Sequence, residues 1–373
     1  MQCKEVIKHI EEWAPKAIAW DRDNVGLQVG TTSRKIKNVM LSLDLNENVL
    51  KQALIKKCNF IITHHPLLFN PLTKIDTASD ATSKLVEKLI KNDVTLYSAH
   101  TNLDFTKDGV SFQLAKRLNL QNINFLHHLN ENQIKLVVFV PEDYVEKVSN
   151  AIHRSGGGII GNYSNCSFRI KGTGTFKGTE ETNPAIGIKG KLESVDEIRL
   201  EVIVDNWKLP EVINSMKSVH PYEEVAYDLY PLKNENNHYG MGAIGELKKP
   251  MNKNEFLGFV SKKLNTKNLR YSNGKNGNIR RVAVCGGSCS ELLNTASKLN
   301  ADAFITADVK YHSFQDAGGK ILFIDAGHYE TEIHSIDEIQ RRLEFFLNKE
   351  KRIKVYKSAS ACNLLHVPNQ QIS

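Results

Sequence analysis

The sequence predicts an α/β protein: two related α/β halves around a metal-binding cleft, with a ferredoxin-like α+β domain inserted between them. Three observations predict it. Short apolar runs alternate with amphipathic stretches of helical period near both ends of the chain. The spacing within those two end regions matches, and the middle of the chain runs through a different order of elements.

In the first half, residues 38–43 read as a strand, 47–57 as a helix, and 59–63 as a strand ending on His64-His65. Residues 83–91 read as a helix and 94–98 as a strand ending near His100. This β-α-β-α-β rhythm implies a parallel sheet with helices packed over it. The rhythm returns in a strand over 281–285, a helix over 290–299, strands over 303–306 and 321–324, and a closing helix over 329–347. Thr63 lies 24 residues after Val39 and Thr306 lies 24 after Val282, so Phe60-Ile61-Ile62-Thr63 aligns with Ala303-Phe304-Ile305-Thr306. The match points to a duplication, against the background that all βαβ units resemble one another.

Between the halves the order is strand 135–140, helix 142–155, strands 166–175 and 199–204, helix 209–219 and strand 225–232. That βαββαβ pattern is ferredoxin-like. The expected division is residues 1–126 with 237–373 as one discontinuous domain and 127–236 as the insert, with the polar run Lys233-Asn234-Glu235-Asn236-Asn237 at its exit. Gly240-Met241-Gly242-Ala243-Ile244-Gly245 spells GxGxxG, but no strand is predicted before it and Pro250 follows. A dinucleotide fingerprint needs strand, turn and helix in that order, so the segment reads as the return from the insert into a strand.

The 373 residues suit two domains, and a net charge of +7 carried by scattered lysines does not argue for a nucleic-acid partner. The densest basic run, Lys349-Glu350-Lys351-Arg352-Ile353-Lys354, reads as solvated surface. The start runs straight into an amphipathic helix pattern (Val6, Ile7, Ile10, Trp13), and no stretch is long and apolar enough for a bilayer. Cysteines stand at 3, 58, 166, 285, 289 and 362 without a Cys-x-x-Cys pair, a spacing that predicts neither a zinc knuckle nor a disulfide framework. A reducing cytoplasm is the expected setting.

Ligand-type residues follow three strands. In an open parallel sheet, sites form at the carboxyl ends of the strands. His64 and His65 leave one strand pointing different ways, so they suit two ions; the bland alternative is a pair of loop histidines. His100 and Asp104 leave the next, where Asp104 adds a hard oxygen and His100 is a candidate ligand, orienting group or acid–base group. Taken alone, Asp104 would read as a turn residue and His100 as a loop residue satisfied by backbone. His328 and Glu332 share one helix face at i,i+4, more often a surface contact when met singly, while Glu330 reads as a first-turn carboxylate. Three histidines and two carboxylates can hold two divalent ions if one carboxylate bridges. Such a pair would acidify a bound water, which makes hydrolysis the default chemistry. Zinc is the first choice of metal, with manganese and iron also suited to the mixture.

Together these segments resemble the Ngg-interacting-factor-three-like family, also named type-2 GTP cyclohydrolase I homologues. The resemblance rests on Trp20-Asp21-Arg22-Asp23-Asn24-Val25-Gly26-Leu27-Gln28-Val29-Gly30, Thr63-His64-His65-Pro66-Leu67, Ala99-His100-Thr101-Asn102-Leu103-Asp104 and Gly327-His328-Tyr329-Glu330-Thr331-Glu332, and it covers nearly the whole chain. It implies that the middle domain is the PII- or CutA-like insert of longer bacterial members. It further implies that His65 and Asp104 bind one metal, that His64 and His328 bind the other, that Glu332 bridges, and that the protein is a toroidal homohexamer.

Further candidates line the expected pocket. Asp308 and His312, with Lys310, follow a second-half strand and are candidates to hold a phosphate or to act as acid and base beside His100, with a purely structural role as the alternative. Asn24 and Gln28 are candidates to bond substrate or ligand-holding groups. Cys285-Gly286-Gly287-Ser288 would either cradle an anion on its amides or simply make a tight turn. Two functions compete on these observations. One is a two-metal hydrolase acting on a nucleotide-like or phosphate-bearing compound, GTP cyclohydrolase-like or phosphoesterase, through a metal-activated water. The other is a metal-binding regulatory or assembly protein with a sensor-like insert and no catalysis.

Overall fold

The structure, a computed structural model, describes residues 1–350 and 352–359. Lys351 and Cys362, named above, lie outside the described residues; the neighbours Lys349, Glu350, Arg352 and Lys354 are exposed. The chain is mixed α/β with three sheets, and it divides into two compact units, residues 1–127 with 239 onward, and His128–His238.

The larger unit holds two sheets. In the first, Val39–Ser42, Phe60–Thr63 and Thr95–Ser98 run parallel in register, with Ser42 opposite Thr63 and Thr63 opposite Ser98. Gly26–Val29 adds antiparallel at one edge and Val355–Lys357 parallel at the other. All three central strands are buried throughout, as continuous apolar runs covered on both faces should be. Side chains alternate sides: Val39, Leu41, Phe60, Ile62 and Tyr97 enter one core with the helices Cys3–Trp13 and Ser335–Phe346. Met40, Ile61 and Leu96 enter another with Glu47–Ile55 and Ala81–Lys91. Each buried Val, Leu, Ile, Met or Phe among these is worth roughly 1.5–3 kcal/mol, so the ends of the strands are firmly placed.

The second sheet repeats the device. Ile279–Val284, Ala303–Thr306 and Leu322–Asp325 are parallel, with Val282 opposite Ala303 and Thr306 opposite Asp325. Val282, Val284, Ile305 and Ile324 face one core, and Ala283, Phe304 and Phe323 the other. Gly240–Met251 lies beside Ile279–Val284 in antiparallel register and Gln121–His128 beside that. The GxGxxG segment is therefore the first half of a strand, with no helix opening from it.

The smaller unit is a four-stranded antiparallel sheet in the order Phe168–Lys177, Leu192–Asp205, Gln133–Pro141, Tyr227–Leu232. Its core joins Leu136, Val138, Leu200, Val202 and Val204 to Val148 and Ile152 of helix Val145–Arg154 and to Val212 and Met216 of helix Leu209–Lys217.

One element differs from the expected form in a way that matters. The helix predicted over 329–347 is broken: His328–Glu332 and Ser335–Phe346 are separate helices. The Ser335 hydroxyl donates to the Glu332 carbonyl (2.7 Å), a local bond that competes with helix continuation. Glu332 therefore sits on its own short helix. No helix among the described residues is long and apolar enough to cross a membrane.

Candidate metal centre

The strand ends put five predicted ligands in one place. The His64 and His65 amides continue the ladder by donating to the Ser42 and Leu43 carbonyls (3.2 and 2.9 Å), which fixes the backbone from which both rings depart. Asp104 ends the short helix Thr101–Asp104, and His328 and Glu332 open and close the five-residue helix after Leu322–Asp325. His64 and Glu332 are buried. Glu332 lies between the rings: Oε1 is 3.1 Å from His328 Nε2 and 3.8 Å from His64 Nε2, and Oε2 is 3.0 Å from His65 Nε2. His64 Nε2 stands 3.5 Å from Asp104 Oδ1, and the Nε2 atoms of His65 and His328 are 3.3 Å apart. Ligand atoms that share an ion at bonds of about 2.0–2.2 Å lie about 3–3.5 Å from one another, so these separations fit a metal. The resemblance pairs His65 with Asp104 and His64 with His328; the close approaches here are His64 with Asp104 and His65 with His328.

Each ring is held from behind. His64 Nδ1 donates to the Ala99 carbonyl (2.8 Å), His65 Nδ1 to Asp44 (2.8 Å), His328 Nδ1 to Asp308 (2.6 Å) and His100 Nδ1 to Asp23 (2.9 Å). Carbonyls and carboxylates only accept, so the proton belongs on Nδ1 and the Nε2 lone pair of the neutral ring faces the cluster. The fit to a metal has a second support. His64 Nε2, Asp104 Oδ1 and Glu332 Oε2 are buried atoms without a hydrogen-bond partner, a costly arrangement unless a cation satisfies them. The site offers two ligand groupings, His64, His65 and His100, and His65, His328 and Glu332.

Electrostatics agree. Burial opposes charge on Glu332, yet His328, His64 and His65 hold its carboxyl well below the usual range. Burial, helped by the Glu332 charge, pushes the Asp104 carboxyl up against the pull of His64. Burial opposes a charged His65, but Asp44 and Glu332 outweigh it and push the ring up to about 10; Glu332 pushes His328 up to about 9. A proton on Nε2 and a metal ion compete for the same lone pair, so this negative pocket is one that attracts cations.

The remaining candidates separate. Asp308 reaches the cluster, but as the group that holds His328. His312 bonds Gln315 of its own helix instead (3.0 Å), and Lys310 precedes that helix as its cap residue. Asn24 and Gln28 brace the loop after His65: Asn24 donates to the Leu68 carbonyl (2.6 Å), and Gln28 bonds the Leu68 amide (3.1 Å). The Gly286 and Gly287 amides donate to Ser111 and Thr331 (3.2 and 3.1 Å), so the tight-turn alternative describes this loop better than an anion cradle. Gly287 has φ +68°, and a Cβ on it would run into Glu332. Cys285 and Cys289, flanking that turn, form a disulfide, which corrects the expectation of none; with three residues between them their Cα atoms lie 6.1 Å apart, an ordinary bridging distance.

Sequence reasoning missed Asp23, Asp44 and Gly287. Asp23 and Asp44 carried a faint signal as acids within or beside quoted motifs, and Gly287 as a glycine in the noted turn.

A family model described as Duf34/NIF3 (NGG1p interacting factor 3) matches residues 1–363. The chain is 41% identical over 348 residues to a protein of Halalkalibacterium halodurans and 39% identical over 350 residues to one of Bacillus subtilis, both named GTP cyclohydrolase 1 type 2 homolog, with 93% of each chain covered in both cases. The crystal structure of a Bacillus cereus protein related to NIF3 superposes with TM-score 0.86 at 37% identity, covering 98% of this chain and 99% of the other. The chain belongs to the Duf34/NIF3 family.

Proposed function

We propose that the protein is a two-metal hydrolase-type enzyme acting on a nucleotide or other phosphate-bearing compound, with GTP cyclohydrolase-like ring opening as the first candidate. The observation that carries this is the convergence of His64, His65, Asp104, His328 and Glu332 with every imidazole anchored through Nδ1. When bound, two divalent cations would acidify a water and polarise a substrate oxygen. Zinc is the first choice, with manganese and iron alternatives that suit the same donors. Glu332 would bridge, while Asp44, Asp308 and the Ala99 carbonyl keep the rings aimed. Each of the acid–base candidates is engaged, Asp308 with His328, His312 with Gln315 and His100 with Asp23. The reading includes two related halves in the discontinuous larger domain, a ferredoxin-like insert, self-association as a homohexamer and a cytoplasmic setting. The names of the relatives favour the GTP reaction. The test is a screen of nucleotides and phosphoesters with protein stripped of metal and reloaded with zinc, manganese or iron, run beside His65→Ala. Turnover lost in that variant supports the reading, and no turnover with any metal or substrate overturns it.

A second reading has its own observation. The smaller unit contains a cavity of about 590 Å³ walled by Phe139, Ile170, Phe176 and Ile186, with Glu197 and Tyr222 as polar groups. Its size suits a small molecule, as a sensor-like insert in a regulatory, non-catalytic protein would need. Metal binding without turnover, together with a ligand shifting the melting of this unit, would favour it.

A further inference from the structure

We propose that His100, held by Asp23, is itself a ligand of the metal centre, joined to the ion that His64 binds. This rests on the two-metal reading above and adds a sixth protein ligand to it. The two ions would then have four imidazoles and two carboxylates, and their preference would shift toward late first-row divalent cations and away from magnesium or calcium.

The placement of His100 is that of the other ligand rings. Its centroid lies 5.2 Å from His64 and 5.5 Å from His65, while His64–His65 is 4.9 Å and His65–His328 is 5.2 Å. Its ligand atom falls within 4.8 Å of those of His64 and His65. It is held in the same manner too, with Nδ1 donating to a carboxylate and Nε2 facing inward.

Asp23 is a purpose-built holder. Its side chain is only 2% exposed, and it accepts from the Thr101 amide (3.0 Å) and hydroxyl (2.5 Å) as well as from His100. The Thr101 hydroxyl in turn accepts from the Trp20 amide (3.1 Å), which ties both ends of the arrangement to backbone. A loop histidine kept only for packing has no need of a buried anion behind it, whereas ligating histidines commonly have one.

The sixth ligand also resolves the sharing. His64 lies near Asp104 and His100, while His65 and His328 lie near each other, with Glu332 between the two groups. With Glu332 bridging, His64, Asp104 and His100 would complete four protein donors on one ion, and His65 and His328 would complete three on the other. The three-donor ion keeps an open position for water or substrate, the pattern of catalytic rather than structural sites.

Cobalt(II) tests this, because its visible bands report donor type and geometry. Metal-stripped full-length protein is titrated with cobalt(II) and its spectrum recorded, beside His100→Ala, His100→Gln, Asp23→Asn and the exposed control His312→Ala. Folding of each is checked by circular dichroism. The expected result is two equivalents in wild type and in the control. In both His100 variants one equivalent weakens by about tenfold or more with altered bands, and millimolar imidazole restores the bands in His100→Ala. Asp23→Asn weakens the same equivalent less. Folded His100 variants that keep both affinities and the wild-type spectrum overturn the ligand role while the two-metal centre stands. Wild type that takes up no cobalt(II) overturns the centre and the proposal together.

Discussion

Gly287 lies so close against Glu332 that a single methyl group on its Cα would overlap the carboxylate oxygen Oε1. The neighbouring loop is thereby a wall of the candidate metal centre, and its φ of +68° is one that glycine adopts without strain. Gly287→Ala should displace Glu332 and weaken zinc binding by about tenfold or more, while circular dichroism stays native. Zinc titration against a chromophoric chelator measures it. Unchanged affinity would mean that the loop yields freely.

Glu332→Gln separates bridging from mere proximity. The variant keeps size and helix propensity but removes the charge that Oε1 and Oε2 present to three rings. Both equivalents of zinc should weaken together, whereas His64→Ala should weaken mainly one. Calorimetric titration of the two variants distinguishes these patterns, and retention of both ions by Glu332→Gln at wild-type affinity would rule out the bridge.

Asp44 meets the His65 ring at 2.8 Å. Asn at this position can still accept through its amide oxygen but brings no charge. Asp44→Asn should lower metal affinity by about 10-fold, within the roughly 10–100-fold range of such outer partners. The change should fall on the equivalent that His65→Ala also affects. Competition with a chelator gives the affinity, and an effect on the other equivalent instead would show that Asp44 does not act through this ring.

In the smaller unit, His220 should make stability depend on pH. Burial lowers its pKa from the ordinary 6.5. Its Nε2–H donates to the Phe139 carbonyl and its Nδ1 accepts from the Tyr222 amide, both at 3.1 Å, and protonation at Nδ1 would destroy the second bond. The unfolded chain therefore takes up a proton near pH 6.5 that the folded unit refuses. The His220 contribution is complete above pH 6.5 and is lost as pH falls from there through the lower folded pKa. The ring should titrate below 6.5 by NMR, and the melting temperature should fall across that window, with a flatter slope in His220→Gln. A ring that titrates at or above 6.5 would refute the assignment.

The candidate ligands were legible in the sequence because they stand at or shortly after apolar strand runs, and strand ends are where such folds gather chemistry. Their holders were not. Asp23 is 77 residues from His100 and Asp44 is 21 from His65, so only the folded chain relates them. Strand Leu192–Asp205 was seen only from residue 199, because Glu193, Asp196 and Glu197 interrupt the apolar alternation where the strand is more exposed. Gly240–Met251, rich in glycine and carrying Pro250, is a strand because its neighbours offer a ladder, not through its own propensity. The break after Glu332 depends on one serine hydroxyl, invisible to a helical period that continues across it.

The two strands that flank the smaller unit in sequence, Gln121–His128 and Gly240–Met251, are neighbours in one sheet, and Gly240 lies against the His127 carbonyl. Chain exit and return are therefore separated by about one strand spacing, near 4.8 Å, a gap that a two-residue turn closes in an ordinary hairpin. The insert is grafted at the tip of a hairpin. None of the five candidate ligands lies between these two strands in sequence, so a shortened chain that joins residue 127 to 239 through Asn-Gly should keep them together.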